Sequence, residues 1–269
     1  MASINKITKQ YKDEGYVIAK SIFSKEYCNE LKDYLETLDI KRYIPFSNIA
    51  WGWGNLLDKG PFSDVTRNKF INDFSKSLFG ETYIFNNLMV NNKAPWIGPD
   101  VEWLQEASNI DTYAPGYSFE ESDNFLQIYI ALDKQNRDNG CLQFIEGSDK
   151  LGLLPNEDFI DGNLGHKRRV TSKALDKLIE NHKISYGIMD VGDVLLFNHR
   201  LVHSSAPNKS NLQRKSIILG VRNKIKEDDF KIFKKETDYR RDFIINNLSD
   251  MIEQWKSKNI YSDFKKEDK

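Results

Sequence analysis

Histidine, cysteine and proline are scarce in this chain, at four, two and seven among 269 residues. Two cysteines, Cys28 and Cys141, are too few for a disulfide framework or a thiolate zinc cluster, and their number suits a reducing compartment. There is no excess of either charge: 39 basic residues face 40 acidic ones, a net charge of -1. A general nucleic-acid binder carries a large basic surplus, so that class is excluded as an expectation. Long apolar runs are also missing. One of the longest, Ile128 to Leu132, falls far short of the roughly 20 residues that span a bilayer. The opening residues are polar where a signal peptide has a continuous apolar stretch. No membrane association and a cytoplasmic location are therefore expected. No phosphate loop, dinucleotide glycine fingerprint or Gly-x-Ser-x-Gly elbow occurs, so the residue types of a hydrolase triad in Ser204, His203 and Asp193 carry little.

What is present is a globular composition, 39% hydrophobic with 12% aromatic residues, enough for a sizeable core. Ser24 is placed to cap a helix on which Tyr27, Cys28, Leu31, Leu35 and Leu38 recur at helical spacing. Phe70, Ile71, Phe74 and Leu78 predict a second helix, ended by Gly80. A loop-rich stretch around Trp51 and Trp53 lies between them. From about Thr82 the pattern changes to short strands, expected over 82–91, 125–132, 142–145, 184–189, 193–197 and 216–221, with a helix inserted near Leu175. Turn signals at Asn139-Gly140, Gly147 and Gly192 punctuate them. This favours a sandwich or closed barrel over alternating strand and helix units. Residues 224–269 hold 12 basic and 11 acidic residues, so half of these 46 positions are charged. Tyr239, Phe243, Leu248, Met251, Ile252 and Trp255 there fit a long amphipathic helix. The division expected is a barrel domain over 1–223 and a charged helical extension over 224–269.

Four blocks stand out together: Trp103-Leu104-Gln105-Glu106, the strand from Leu126 to Leu132 with Tyr129, the turn from Asp138 to Leu142, and the run from Gly192 to His203. Ser205 and Arg214 follow, the latter 11 positions after His203. In this order and spacing the chain resembles the phytanoyl-CoA dioxygenase family of non-haem iron enzymes, from about Gly15 to Arg222. The resemblance implies an all-β core with added helices: a double-stranded β-helix, the jelly-roll or cupin-like barrel, with N-terminal and C-terminal helices packed outside. It implies iron(II) as cofactor, 2-oxoglutarate as cosubstrate and a small-molecule substrate. Glu106 and His203 would be metal ligands, Arg214 would pair with the far carboxylate of 2-oxoglutarate, Ser205 would offer it a hydroxyl, and Tyr129 would line its pocket. Trp103, Gln105, His199, His166 and Arg168 are further candidates for the substrate pocket.

One position departs from the family pattern. Where the first metal-binding histidine belongs, the chain has Leu104, which has no lone pair to give. On an unbroken strand His199 would lie roughly 13 Å from His203, too far to replace it unless the chain bends. Two main readings follow. The protein is an iron(II)- and 2-oxoglutarate-dependent dioxygenase that hydroxylates a small molecule, or a family member that has lost iron chemistry and serves as a binding or regulatory protein. A partner-binding role for the charged C-terminal helix is a third.

Overall fold

The computed structural model describes residues 3–37, 57, 60–96, 100–113, 116–158 and 168–223. Trp51, Trp53, His166 and the extension 224–269 lie outside the described residues. Among the described residues four helices come first: α1 (Ile4–Glu14), α2 (Lys25–Thr37), α3 (Phe62–Arg67) and α4 (Lys69–Phe79), with strand β1 (Tyr16–Ala19) between the first two. Local chemistry sets their ends. The Ser3 hydroxyl accepts from the Lys6 amide at the start of α1, Ser24 accepts from Tyr27 N–H at 3.1 Å before α2, and Asn68 Oδ1 accepts from the amides of Phe70 and Ile71 before α4.

The remaining strands are β2 (Tyr83–Lys93), β3 (Val101–Leu104), β4 (Phe125–Ala131), β5 (Leu142–Ile145), β6 (Asn156–Asp158), β7 (Arg168–Val170), β8 (Ile184–Tyr186), β9 (Val194–Asn198), β10 (His203–Ser205) and β11 (Arg214–Asn223). A short helix α5 (Ile110–Tyr113) follows β3, and α6 (Ser172–Asn181) follows β7. Two antiparallel sheets result, β1-β9-β4-β11-β2 and β3-β10-β5-β8, with β6 and β7 as a separate pair. This is the jelly-roll architecture expected from the sequence. The strand at 214–223 is longer than its apolar run because both ends carry buried arginines. The strands β3 and β10 escape a pattern reading, at four and three residues each.

β4 shows how alternation builds the molecule. Leu126, Ile128 and Ile130 turn to one side and pack with Leu31, Phe62, Ile71 and Phe74 of the helices. Tyr129 and Ala131 turn to the other, where they pack with Leu195 and Phe197 of β9 and Leu142 and Phe144 of β5. One face of the large sheet carries the helical layer, and the other faces the small sheet. The space between the sheets holds the candidate site.

The turn before β9 is fixed by Asp193, whose carboxylate accepts from the amides of Ser21 and Asp190, each at 2.8 Å, and from Lys20 Nζ at 2.9 Å. Gly192 O in turn accepts from the amides of Ile22 and Phe23 at 3.0 Å. Gly192 sits at φ +87°, and a Cβ there would lie 2.0 Å from Phe23 O. A Gly192→Ala variant is expected to lose about 2 kcal/mol or more of stability, seen as a lower urea midpoint with an unchanged slope.

Candidate active site between the sheets

The site grows from the short strand β10. His203 lies between β3 and β5, opposite Leu104 on one side and Phe144 on the other. Its ring packs against Phe197 at 5.0 Å. His203 Nδ1 is 2.9 Å from Leu201 O, a carbonyl that can only accept, so Nδ1 carries the proton. In the neutral ring Nε2 then carries the lone pair, and it lies 3.5 Å from Glu106 Oε1. A cation belongs between a nitrogen lone pair and a carboxylate. The separation suits two ligands of one metal ion, with bonds of about 2.0–2.2 Å to each.

Glu106 is aimed by the turn that carries it. The Gln105 side chain is buried and fully engaged: its Nε2 donates to Gly152 O and Arg200 O, and its Oε1 accepts from Leu154 N–H. Ala107 N–H donates to His199 O at 2.8 Å. Arg168 spans from β7 to the same segment, donating to Ser108 O and pairing in two-pronged fashion with Asp111 at 3.0 and 2.9 Å. Gln105 and Arg168, expected to contact substrate, thus act as braces for the Glu106 segment. Trp103 points away from the site and packs with Ile145, Val170, Leu178 and Val202, which corrects its assignment to a substrate pocket.

Leu104 is 1% exposed and is the direct cross-strand partner of His203. Cross-strand partners share a face, with Cβ atoms about 4.5–5.5 Å apart, so position 104 borders the Glu106 and His203 pair and gives it no donor. His199 is brought nearer than a straight strand allows, because the chain turns at Asn198–Leu201 between β9 and β10. Its ring rests against Phe125 at 5.4 Å. Burial pushes its pKa down to about 4, with Glu106 opposing and His203 assisting. Among the described residues no three His, Cys, Asp or Glu side chains are grouped to hold a metal. Glu106 and His203 are the two donors that would hold a metal ion here.

The second half of the site is cationic. Arg214 is 2% exposed, donates through Nη1 to Gly140 O, and holds its guanidinium carbon 5.9 Å from the Tyr129 ring centroid. Lys93, its partner in the β2–β11 register, is buried beside it and donates to Ser205 Oγ at 2.8 Å and to Ala206 O at 2.5 Å. Burial, and then the Arg214 charge, hold the Lys93 ammonium well below its ordinary range. Arg214 Nε and the Tyr129 hydroxyl are both buried without a hydrogen-bond partner. A lysine and an arginine with two unused donors beside them make a cradle for a carboxylate, which is what the far end of 2-oxoglutarate presents. The cradle is closed by the Asn139-Gly140 turn, where Asn136 and Asn139 exchange side-chain and backbone bonds at 2.8 and 2.9 Å. A Cβ on Gly140 would meet Ala206 O at 2.2 Å.

Sequence reasoning missed Lys93. Its signal was a lone lysine at the end of a strand, directly before Ala94-Pro95.

The chain has relatives among known proteins. The sequence model of the phytanoyl-CoA dioxygenase (PhyH) family matches residues 11–216. Dioxygenase lolE1 of Epichloe uncinata is 28% identical over 190 residues, 69% of this chain and 65% of that protein, so the chain spans under two thirds of this relative's length. The probable alpha-ketoglutarate-dependent hypophosphite dioxygenase of Stutzerimonas stutzeri is 22% identical over 79% of this chain and 76% of its own. Among solved structures, EctD from S. alaskensis with 2-oxoglutarate and 5-hydroxyectoine superposes with a TM-score of 0.64 at 16% identity, covering 85% of this chain and 83% of that one. This last likeness shows the shared fold.

Two outcomes are expected. Leu104→His supplies a third donor, and its Mn(II) or Co(II) affinity, read by calorimetry, rises by about tenfold or more over the parent. For His199, the unfolded chain takes up a proton near pH 6.5 and the folded protein near pH 4. Its contribution to stability is therefore present above pH 6.5 and is lost as pH falls toward 4, by up to about 3 kcal/mol. Urea midpoints of the parent should fall more steeply between about pH 7 and pH 4.5 than those of His199→Gln.

Proposed function

The chain belongs to the phytanoyl-CoA dioxygenase family, and from that membership we propose that it is an iron(II)- and 2-oxoglutarate-dependent dioxygenase acting on a small molecule. The observation that carries the reading is the cationic cradle of Arg214 and Lys93, with unused donors on Arg214 and Tyr129, set in the same inter-sheet space as the Glu106 and His203 pair.

Arg214 and Lys93 bind the far carboxylate of 2-oxoglutarate, and the Tyr129 hydroxyl donates to it. Ser205, already accepting from Lys93, fixes the ammonium in place. A bound dianion offsets the mutual repulsion of the two cations and raises the proton affinity of Lys93. His203 and Glu106 hold the metal, and Leu104 closes their flank with a dry, apolar wall. Iron(II), when bound, supplies dioxygen activation: 2-oxoglutarate, dioxygen and a C–H substrate become succinate, carbon dioxide and the hydroxylated product. Both relatives named above are dioxygenases, and none is named as a binding protein. Among the described residues no helix is long and apolar enough to cross a membrane. Cys28 and Cys141 are buried free thiols, which suits a cytoplasmic site of action.

The test is anaerobic loading with iron(II) and 2-oxoglutarate, then oxygen. The visible charge-transfer band and succinate are expected from the parent, and Arg214→Ala should weaken 2-oxoglutarate binding by about tenfold or more in calorimetry. A parent that yields no succinate, while Leu104→His does, defeats the proposal for the natural protein.

A further inference from the structure

Lys93 is 5% exposed, and the oxygens within hydrogen-bond reach of its Nζ among the described residues are all uncharged. They are the Ser205 and Ala206 carbonyls, at 3.4 and 2.5 Å, and the Ser205 hydroxyl at 2.8 Å. An ammonium donates to all three. A neutral amine, with two N–H groups and a lone pair, is served equally well: it donates to the two carbonyls and accepts from the hydroxyl, which turns to donate. The two protonation states thus differ by the rotation of one hydroxyl, and no backbone has to move.

The charged and titratable groups that face Lys93 decide between them. Arg214, its register partner on β11, opposes a second positive charge. Asp100, ahead of β3, favours the ammonium, but its pull is weaker than burial and the Arg214 charge. The Cys141 thiol, ahead of β5, would favour the ammonium only as a thiolate, and its own burial raises its pKa and keeps the proton on sulfur. The β10 strand and the residue after it contribute neutral oxygens. The balance lies with the amine, well below the ordinary lysine range.

An anion reverses that balance. Arg214 Nε and the Tyr129 hydroxyl are unused donors in the same place. A carboxylate drawn to them sets a negative charge beside Lys93, offsets the repulsion from Arg214 and gives an ammonium its partner. We propose that Lys93 is a neutral amine in the empty protein and takes up one proton as the far carboxylate of 2-oxoglutarate enters the cradle, so that cosubstrate and proton bind together. The inference rests on the dioxygenase reading above and adds a control to that site. Between the pKa of Lys93 in the empty protein and its higher value in the loaded one, each unit rise in pH weakens cosubstrate binding, by up to about tenfold. Below that window Lys93 is charged in both states and its effect on binding levels off.

The test has two arms, both on the full chain. In the first, protein labelled with 13C-lysine reports the Lys93 Cε signal by NMR, assigned by its loss in Lys93→Arg or Lys93→Met. Without ligand at about pH 8 the signal is expected at the amine position, and 2-oxoglutarate with Mn(II) should move it to the ammonium position. In the second, 2-oxoglutarate is titrated into the Mn(II)-loaded protein by calorimetry, in two buffers of different ionisation heat. The parent should take up about one proton more than Lys93→Arg, whose guanidinium keeps its charge throughout. Its affinity should fall about threefold or more per unit rise in pH, while that of Lys93→Arg stays within about twofold. A Lys93 signal at the ammonium position in the empty protein overturns the proposal, as does equal proton uptake by the parent and Lys93→Arg. If Lys93→Arg does not fold, Lys93→Met assigns the signal and the first arm decides. A parent that binds no 2-oxoglutarate counts against the dioxygenase reading, and the signal of the empty protein still decides this inference.

Discussion

A lysine and an arginine held side by side in a dry interior set the terms for the rest of the molecule. Lys93 and Arg214 are register partners at the ends of β2 and β11, both buried, and neither has a carboxylate among its hydrogen-bond partners here. Burying one cation is unfavourable, and a second beside it is worse. The fold offsets the penalty with oxygen dipoles: Ser205 Oγ and the carbonyls of Ser205 and Ala206 for the lysine, and Gly140 O for the arginine. Those four acceptors require the β10 strand, the loop after it and the Asn139-Gly140 turn to converge on one spot. The arrangement stays short of balance until an anion arrives. On the proposed reading, affinity for a dicarboxylate would in this sense be stored in the folding of the chain.

The metal pair is built on the opposite logic. Glu106 and His203 attract a cation, and every brace around them fixes direction more than charge. Gln105 spends its whole amide on three backbone groups, Arg168 ties the following turn to β7, and Leu201 O sets the tautomer of His203. Leu104 completes the enclosure without coordinating. On the proposed reading the site would rely on orientation of two ligands, where a third would relax the demand on each.

Much of the fold was legible in the sequence, because apolar periodicity and turn residues report it directly. The Ser24 cap, the helix ended by Gly80 and the strand from Leu142 to Ile145 stand where the pattern put them. The short strands β3 and β10 were not: β3 carries Glu102 among its four residues, and β10, His203-Ser204-Ser205, has no apolar residue to mark it. For the site, block order pointed to Glu106, His203 and Arg214, and the structure brings all three into the space between the sheets. It could not tell Trp103, which faces outward, from residues facing in, because that depends on the register of β3 against β10. A straight strand would leave His199 remote from His203, and the turn at Asn198 breaks that strand. Lys93 was passed over because a lone polar residue in a strand has no sequence signature of its own. Only burial and its place beside Arg214 single it out.

The two faces of β4 answer to different pressures. Leu126, Ile128 and Ile130 are locked among the helices, while Phe125, Gln127 and Tyr129 look into the cavity. Odd and even positions of one seven-residue strand thus drift under separate rules. Exchanges on the even side register as changes in persistence of the fold, and exchanges on the odd side as changes in diet. A lineage can retool what it consumes by single steps at every second residue, without renegotiating the scaffold that carries them.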